Sequence, residues 1–310
     1  MPRPSQVHID KALENISIAY QPQGLIADQV SSRVPVAKES DKYFVYSKDN
    51  LRIPSTIWAD GDRVNRSIWN LSSSSYLTDR HGLDDLVTDR QRANQDKAVR
   101  SDVDTTEALT GQIKLRMEKN LFSLINTTAN WDATTSLPAT GAWNLNTTTS
   151  NPILVVDSAT TSIRRRAGKK ANVVVLSDPT FKAAKEHDSI TDRVKHTSAD
   201  SVSPAMLATL FEVDSVVVSG AVENTAEEGL TDSLTDIATD TAFVLYREPN
   251  PGLKKASAFY TFQVTAAGVP FRVRRWRDDE REGDVIEVST HFVHKVVSSD
   301  CAYAIIDTIQ

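Results

Sequence analysis

Apolar residues at Leu109, Ile113, Met117, Leu121 and Leu124, with Ile125 widening the row, recur at spacings of four and three, which keeps one side of a long helix apolar. Asp104 and Glu107 stand ahead of the row at capping-box spacing, and the pattern predicts a helix from Thr105 to Asn126. Roughly 22 residues rising 1.5 Å each give a rod ~33 Å long. A single apolar stripe on so long a rod suits a spine laid across a sheet rather than a helix buried on all sides.

The end of the chain supplies a sheet. Ala258–Ala266, Val269–Arg277 and Asp284–Val297 read as long antiparallel strands, with turns at Ala267-Gly268 and over 278–283. Between spine and strands lies a compact α/β stretch. A helix ends at Gly168, Val173–Leu176 is a buried strand, and Asp178 caps a helix with Pro179 at its first position. Pro204–Phe211 is a short helix, and Val213–Val218 and Thr241–Tyr246 are further strands. Thr127–Ser150 holds eight threonines, Trp131, Trp143, Pro138 and Gly141 without periodicity, and is expected to be a surface excursion.

Ahead of the spine, Met1–Pro35 reads as an extended arm with a short helical pattern at Ile9, Leu13 and Ile16. Tyr43–Tyr46 is strand-like, Asp60-Gly61-Asp62 is a turn, and a polar return runs through Ile68, Trp69, Leu71, Tyr76 and Leu77. Such a hairpin has too few apolar residues for a core of its own, so it is expected to lie on its own body or on a neighbouring subunit. Asp84–Arg100 is dense in charge and is expected to be exposed. No repeat of 20 to 50 residues is present, which excludes solenoids and propellers.

Composition narrows the function. At 310 residues the chain can bury a core without staples, and 40% hydrophobic with 25% charged residues is ordinary for a globular protein. Eleven glycines and 12 prolines argue against glycine-rich cofactor loops. A net charge of −6 means that any contact with nucleic acid is local. The one cysteine, Cys301, excludes an internal disulfide and a cysteine-clustered metal site, and is expected to be buried. Pro2, Pro4, His8 and Asp10 interrupt the region where a signal peptide would be apolar, so export is not expected, and no apolar run approaches the ~20 residues of a membrane span. Sequons at Asn65, Asn70, Asn126 and Asn146 are then read as chance.

No catalytic signature is present. His291 and His294 would point to opposite faces of a strand and could not share a metal, so neither a metal nor a cofactor is expected. Gly168-Lys169-Lys170 lacks the hydroxyl and preceding glycine of a phosphate loop. Arg164, Arg165, Arg166, Lys169 and Lys170 read as a helix C-terminus complementing the macrodipole, with pairing to another subunit as a further use. Arg272, Arg274, Arg275 and Arg277 around Trp276, answered by Asp278, Asp279, Glu280 and Glu282, read as a charged hairpin end built for complementary contacts.

These features in this order resemble the major capsid proteins of tailed bacteriophages, the Hong Kong 97-type fold, over nearly the whole chain. The most specific stretch is Leu25–Tyr46, where Leu-Ile-Ala-Asp-Gln-Val (25–30), Arg33-Val34-Pro35-Val36 and Lys42-Tyr43 look like the amino-terminal arm entering an extended loop. Gly82-Leu83-Asp84-Asp85 is similar to the return of that loop, Thr105–Asn126 to the spine helix, and Val173–Phe181 with Leu207–Val218 and Ala242–Arg247 to the axial domain.

The resemblance implies an α+β fold with an arm over 1–37, an extended loop over 38–80, a peripheral domain over 81–150, an axial domain over 151–254, peripheral strands over 255–297, and a strand over 298–310 returning to the axial domain. It implies pentamers and hexamers closing an icosahedral shell around double-stranded DNA, assembled in the host cytoplasm, with a portal as a partner and a decoration protein as an optional one. About ten residues precede the arm, so scaffolding is expected from a separate protein. No motif licenses a lysine–asparagine crosslink at Lys42 or Lys48. On this reading the candidate intersubunit contacts are Arg52, Trp58, Asp62, Arg66 and Trp69 on the loop, Asp84, Asp85, Arg90 and Arg92 after it, and Arg164, Arg165 and Arg166. Two alternatives stay open: an encapsulin-like compartment shell, and an α/β hydrolase or transferase with its site in Val173–Val218.

Overall fold

The computed structural model describes residues 24–67, 70–94, 101–147, 149–195, 202–227, 229–252, 254–265 and 269–310. The pattern at Ile9, Leu13 and Ile16 and the turn at Ala267-Gly268 lie outside these residues.

Helix α1 (Ala27–Val30) leads into β1 (Ser32–Val36), followed by the ribbon strands β2 (Ser40–Tyr46) and β3 (Leu71–Leu77), then β4 (Asp79–Thr88), α2 (Asp89–Asn94) and the long α3 (Ser101–Asn126). After β5 (Thr134–Ser136) come α4 (Pro152–Ala167), β6 (Val173–Ser177), α5 (Asp178–Glu186), α6 (Asp188–Val194), α7 (Pro204–Leu210) and β7 (Ser215–Ser219). The chain closes with the small hairpin β8 (Val222–Asn224) and β9 (Leu234–Asp236), then β10 (Ala242–Leu245), β11 (Phe259–Val264), β12 (Arg272–Asp278), β13 (Gly283–Val296) and β14 (Ala302–Ile306).

Two sheets carry the molecule. In the first, β13 is central: β4 pairs along Gly283–Phe292, while β12 and then β11 pair along its opposite edge, and β1 joins β11 in parallel. The second has the order β5-β14-β10-β6-β7, with β6–β7 and β14–β5 parallel and the other pairs antiparallel. The unbroken apolar run Val173–Leu176 of β6 is what a strand covered on both faces requires. Val174 and Leu176 pack with Ile153, Val156, Ala159 and Ile163 of α4, and Val173 and Val175 pack on the other side with Leu121 and Ile125 of α3.

Helix α3 is the bridge between the sheets. Its first half packs Leu109, Ile113 and Met117 on Val273, Ile286, Val288 and Phe292 of the first sheet, and its second half enters the core of the second. It is longer than its periodicity implies, 26 residues, and is already helical at Ser101, so Asp104 lies in its first turn instead of capping it. The stripe is also broader: Thr106, Thr110, Lys114, Glu118 and Phe122 are buried beside the apolar row.

Local rules explain the boundaries of α4. The Asn151 side chain accepts from Leu154 N–H, Pro152 takes the first turn, and Gly168 ends the helix at φ 67°, with a Leu51 methyl 3.3 Å from where a Cβ would stand. At α5 the cap is Ser177, which accepts from Thr180 N–H at 3.3 Å, one residue before the expected Asp178.

The stretch from Thr127 to Ser150 is not a surface excursion. Trp131 packs on Phe243 and Phe259 and donates from Nε1 to the Ile125 carbonyl, and Trp143 is 1% exposed under α4. Strand β5 and the amides of Leu137 and Trp143 bond the carboxy-terminal strand and its extension at Ile306 and Thr308. Single anchors and hydrogen bonds to a strand some 170 residues later leave no periodicity to read.

Candidate assembly interface

The β2–β3 ribbon has a seated base and an open tip. Tyr43 and Tyr76 stack on Phe262 of the first sheet with ring centroids 5.6 and 4.5 Å apart, so the base lies on its own body. Tyr76 donates its hydroxyl to the Lys38 carbonyl, and Thr78 N–H donates to the Glu39 carbonyl, which closes the turn where the ribbon begins. Further out, Lys48 pairs with Asp300 at 2.5 Å and Lys254 Nζ stands 5.7 Å from the centre of the Tyr46 ring. Between ribbon and body runs a groove of about 890 Å³, lined in part by Tyr43, Tyr46, Leu51, Ala167, Tyr260 and Phe262.

The tip is ordered internally but leaves its apolar side chains outward. Trp58 Nε1 donates to the Asp62 carbonyl at 2.6 Å, Asn65 Nδ2 to the Ser55 carbonyl at 3.0 Å, and Asp62 N–H to the Ala59 carbonyl at 3.2 Å across the turn at Gly61. Ile53 is 97% exposed, Ile57 88%, Val64 69% and Trp58 60%. Soluble monomers avoid this density of large apolar side chains in water, and its usual meaning is a surface covered by another molecule. Arg52, paired with Asp49, and the exposed Asp62 and Arg66 flank this cluster; Trp69 lies outside the described residues. The expected contacts rest on charge and aromaticity and do not include Ile53, Ile57 or Val64, whose signal in the sequence is apolar side chains in a hairpin lacking alternation.

The remaining candidates divide. Asp84 and Asp85 are exposed on β4, and Arg90 is exposed on α2. Arg92 instead turns inward, 2.8 Å from Asp102 and 2.5 Å from Asp284. Arg275 reaches the same two carboxylates at 3.2 and 2.7 Å, and Arg277 pairs with Asp89 at 2.6 Å. The charged hairpin end thus has complementary contacts within its own chain, joining β12, β13, α2 and the start of α3. Arg164 and Arg165 are exposed at the end of α4, whereas Arg166 donates from Nη2 to the Ala302 carbonyl at 3.0 Å. Lys169 lies over the Tyr246 ring and Lys170 pairs with Glu212.

His291 and His294 face opposite sides of β13. His294 is buried against α3, with Nε2 3.1 Å from the Met117 carbonyl, and His291 stands 3.1 Å from Glu39 at the ribbon base. Cys301 is buried, and burial pushes its thiol pKa up. In the α/β stretch His187 Nε2 meets Ser150 Oγ at 3.0 Å, but both are buried, Ser150 donates to the Ala142 carbonyl, and the other ring nitrogen meets Ser189, so the pair lacks an orienting carboxylate and access to a substrate. Among the described residues no group of three or more His, Cys, Asp or Glu is placed to hold a metal, and no helix is long and apolar enough to cross a membrane.

No family model matches the chain. The major capsid protein of Burkholderia phage BcepMu is 25% identical over 225 residues, 72% of this chain and 73% of that protein. The major capsid protein of Pseudomonas phage JBD67 is 27% identical over 254 residues, 81% of each. Among solved structures, a phage-related protein from Bordetella bronchiseptica RB50 superposes with a TM-score of 0.77 at 22% identity, covering 97% of this chain and 98% of that one. The mature capsid of bacteriophage PhiM1 and an encapsulin complex from Synechococcus elongatus PCC 7942 each give 0.58, at 11% and 14% identity, covering 90% and 94% of this chain and 86% and 89% of theirs. The chain has the Hong Kong 97-type capsid fold, and in sequence it is similar to the major capsid proteins of bacteriophages.

Proposed function

We propose that copies of this chain associate head to tail into pentamers and hexamers that together close an icosahedral phage head around double-stranded DNA. The observation that carries this reading is the ribbon tip, whose large apolar side chains face solvent on a chain with a capsid fold. In this reading residues 1–37 are the arm, 38–80 the loop, 81–150 with 255–297 the peripheral domain, 151–254 the axial domain and 298–310 its last strand. Heterologous contacts of this kind form rings when the rotation closes. The exposed charges Arg52, Asp62, Arg66, Asp84, Asp85, Arg90, Arg164 and Arg165 are proposed to contribute at the rims. Each such pair is commonly worth ~0–1 kcal/mol, and repetition over many copies makes the sum count. The role is structural, the net charge of −6 suits a wall that confines DNA, and a portal and a scaffolding protein are the partners such a head requires.

The test is negative-stain electron microscopy of the purified protein, alone and with a scaffolding protein, beside the same protein with residues 50–65 replaced by a short turn. The expected result is polyhedral particles from the full chain and folded, unassembled subunits from the deletion. Intact particles from the deletion would overturn the assignment of the loop. Particles that carry protein cargo and no DNA would move the reading to a compartment shell.

A further inference from the structure

One carboxylate ties the first described turn of the chain to the rest of the molecule. Glu118, midway along α3, is fully buried, and its oxygens accept the backbone N–H of Ile26 at 3.1 and 3.0 Å and that of Ala27 at 2.8 Å. Ser219 Oγ, at the end of β7, donates to the same carboxylate at 3.4 Å. Beside it Gly220 N–H donates to the Gly24 carbonyl at 3.2 Å, and the two backbones approach so closely that a Cβ on Gly24 would stand 3.0 Å from Gly220. Ile26 and Val30 enter the apolar cluster that holds Leu121, Phe122 and Ile125. Three segments about a hundred residues apart, 24–30, α3 and the end of β7, therefore meet at one ionisable group.

We propose that Glu118 is a proton-sensitive clasp: while it holds its proton it stays buried and keeps residues 25–30 seated on α3, and as it loses the proton with rising pH the seat loosens.

Burial raises the Glu118 pKa to about 7 from an ordinary 4.5, against the opposing hydrogen bonds from Ala27, Ile26 and Ser219. Once residues 25–30 lift away, the carboxyl meets water and titrates near its ordinary value. Between those two values the seated form holds a proton that the lifted form releases, so rising pH favours lifting, by at most tenfold per unit. Across pH 5 to 8 the lifted fraction should grow on the order of tenfold to a hundredfold.

Among the described residues the charged neighbours are few. From α1 comes Asp28, which is paired with Arg33 of β1. On α3 itself are Lys114, whose pKa burial lowers, and Lys119, bonded to Glu223 of β8 at 2.6 Å. From β13 comes His294, held down to about 4 by burial and therefore neutral across this range. What loosening would do to a shell rests on the capsid reading, in which the arm reaches a neighbour; the clasp is a property of the single chain.

The test is hydrogen–deuterium exchange of the full-length subunit at pH 5 to 8, with intrinsic exchange rates divided out, following the amides of residues 25–30. The wild type should lose protection there by tenfold or more towards pH 8, and Glu118→Gln, which cannot ionise, should give a flat profile. A flat wild-type profile, or a Glu118→Gln profile that keeps the wild-type slope, overturns the proposal. Ser219→Ala removes a hydrogen bond that favours the ionised form and should move the transition to higher pH; if Glu118→Gln does not fold, a transition that fails to move upward in Ser219→Ala overturns it. Particle formation is no part of the readout, so failure of the capsid reading is distinguishable from failure of the clasp.

Discussion

Thr106, Thr110, Lys114 and Glu118 recur every four residues along α3 and are buried beside the apolar row of Leu109, Ile113, Met117, Leu121 and Ile125. Apolar periodicity shows the second row and hides the first. The threonines can sit there because each hydroxyl donates to a carbonyl one turn back, Thr106 to Asp102 at 2.8 Å and Thr110 to Thr106 at 2.7 Å. His294 is a related case, legible as a strand histidine but not as a buried one. Burial holds its pKa near 4 while the unfolded chain takes up the proton near 6.5, so the unfolded state binds more protons between those values and stability falls as pH drops through them. His294→Gln should remove that decline, worth up to ~3 kcal/mol, in urea unfolding followed from pH 7 to 4. Trp143 was legible as a residue but not as a core: Trp143→Ala should cost ~3–5 kcal/mol in the same assay at neutral pH, and a cost below ~1 kcal/mol would contradict its burial under α4.

At the scale of elements, the clamp of Arg92, Arg275, Asp102 and Asp284 holds the start of α3 to the β12–β13 hairpin. Burial works against the charge on Asp284, but the guanidinium groups of Arg275 and Arg92 prevail and keep its pKa below the ordinary carboxylate range. A depressed carboxylate contributes stability above its unfolded pKa of about 3.9 and loses it as pH falls through the folded value. Asp284→Asn should therefore lower the thermal midpoint at pH 7, and its difference from the wild type should shrink as the pH falls through the depressed value of the native carboxyl; a difference that stays the same down the whole acid range would mean that charge is not what the clamp uses. Next to it, Gly283 leaves room for β4: an added Cβ would stand 2.8 Å from the Val87 carbonyl oxygen and 3.0 Å from Thr88 Cα. Gly283→Ala should displace the end of β4, and hydrogen exchange at residues 86–88 should rise while that of β6 stays unchanged. The alternation along β13 and the turn over 278–283 announced both strands, yet which arginine answers which carboxylate depends on how α2 and α3 are brought up to the hairpin.

For the molecule as a whole, the ribbon base is seated by Tyr43, Tyr76 and Phe262 and the tip hangs free, so removing the tip should leave the thermal midpoint of the subunit within a few degrees of the wild type while abolishing particles. A large fall in the midpoint would mean that the tip stabilises its own chain. By itself the sequence determined the long helix, the helix end at Gly168, the buried strand over 173–176, the long antiparallel strands and a ribbon with no core of its own. Those follow from spacing, capping and turn chemistry within a few residues. Tertiary structure alone decided that Trp131 and Trp143 are core, that Arg92 and Arg166 face inward while Arg164 and Arg165 face out, and that Glu118 receives Ile26 and Ala27. In each case the partner lies far along the chain or in a stretch without period, and a local pattern has no means of naming a group that only the packing of two sheets on one helix brings within 3 Å.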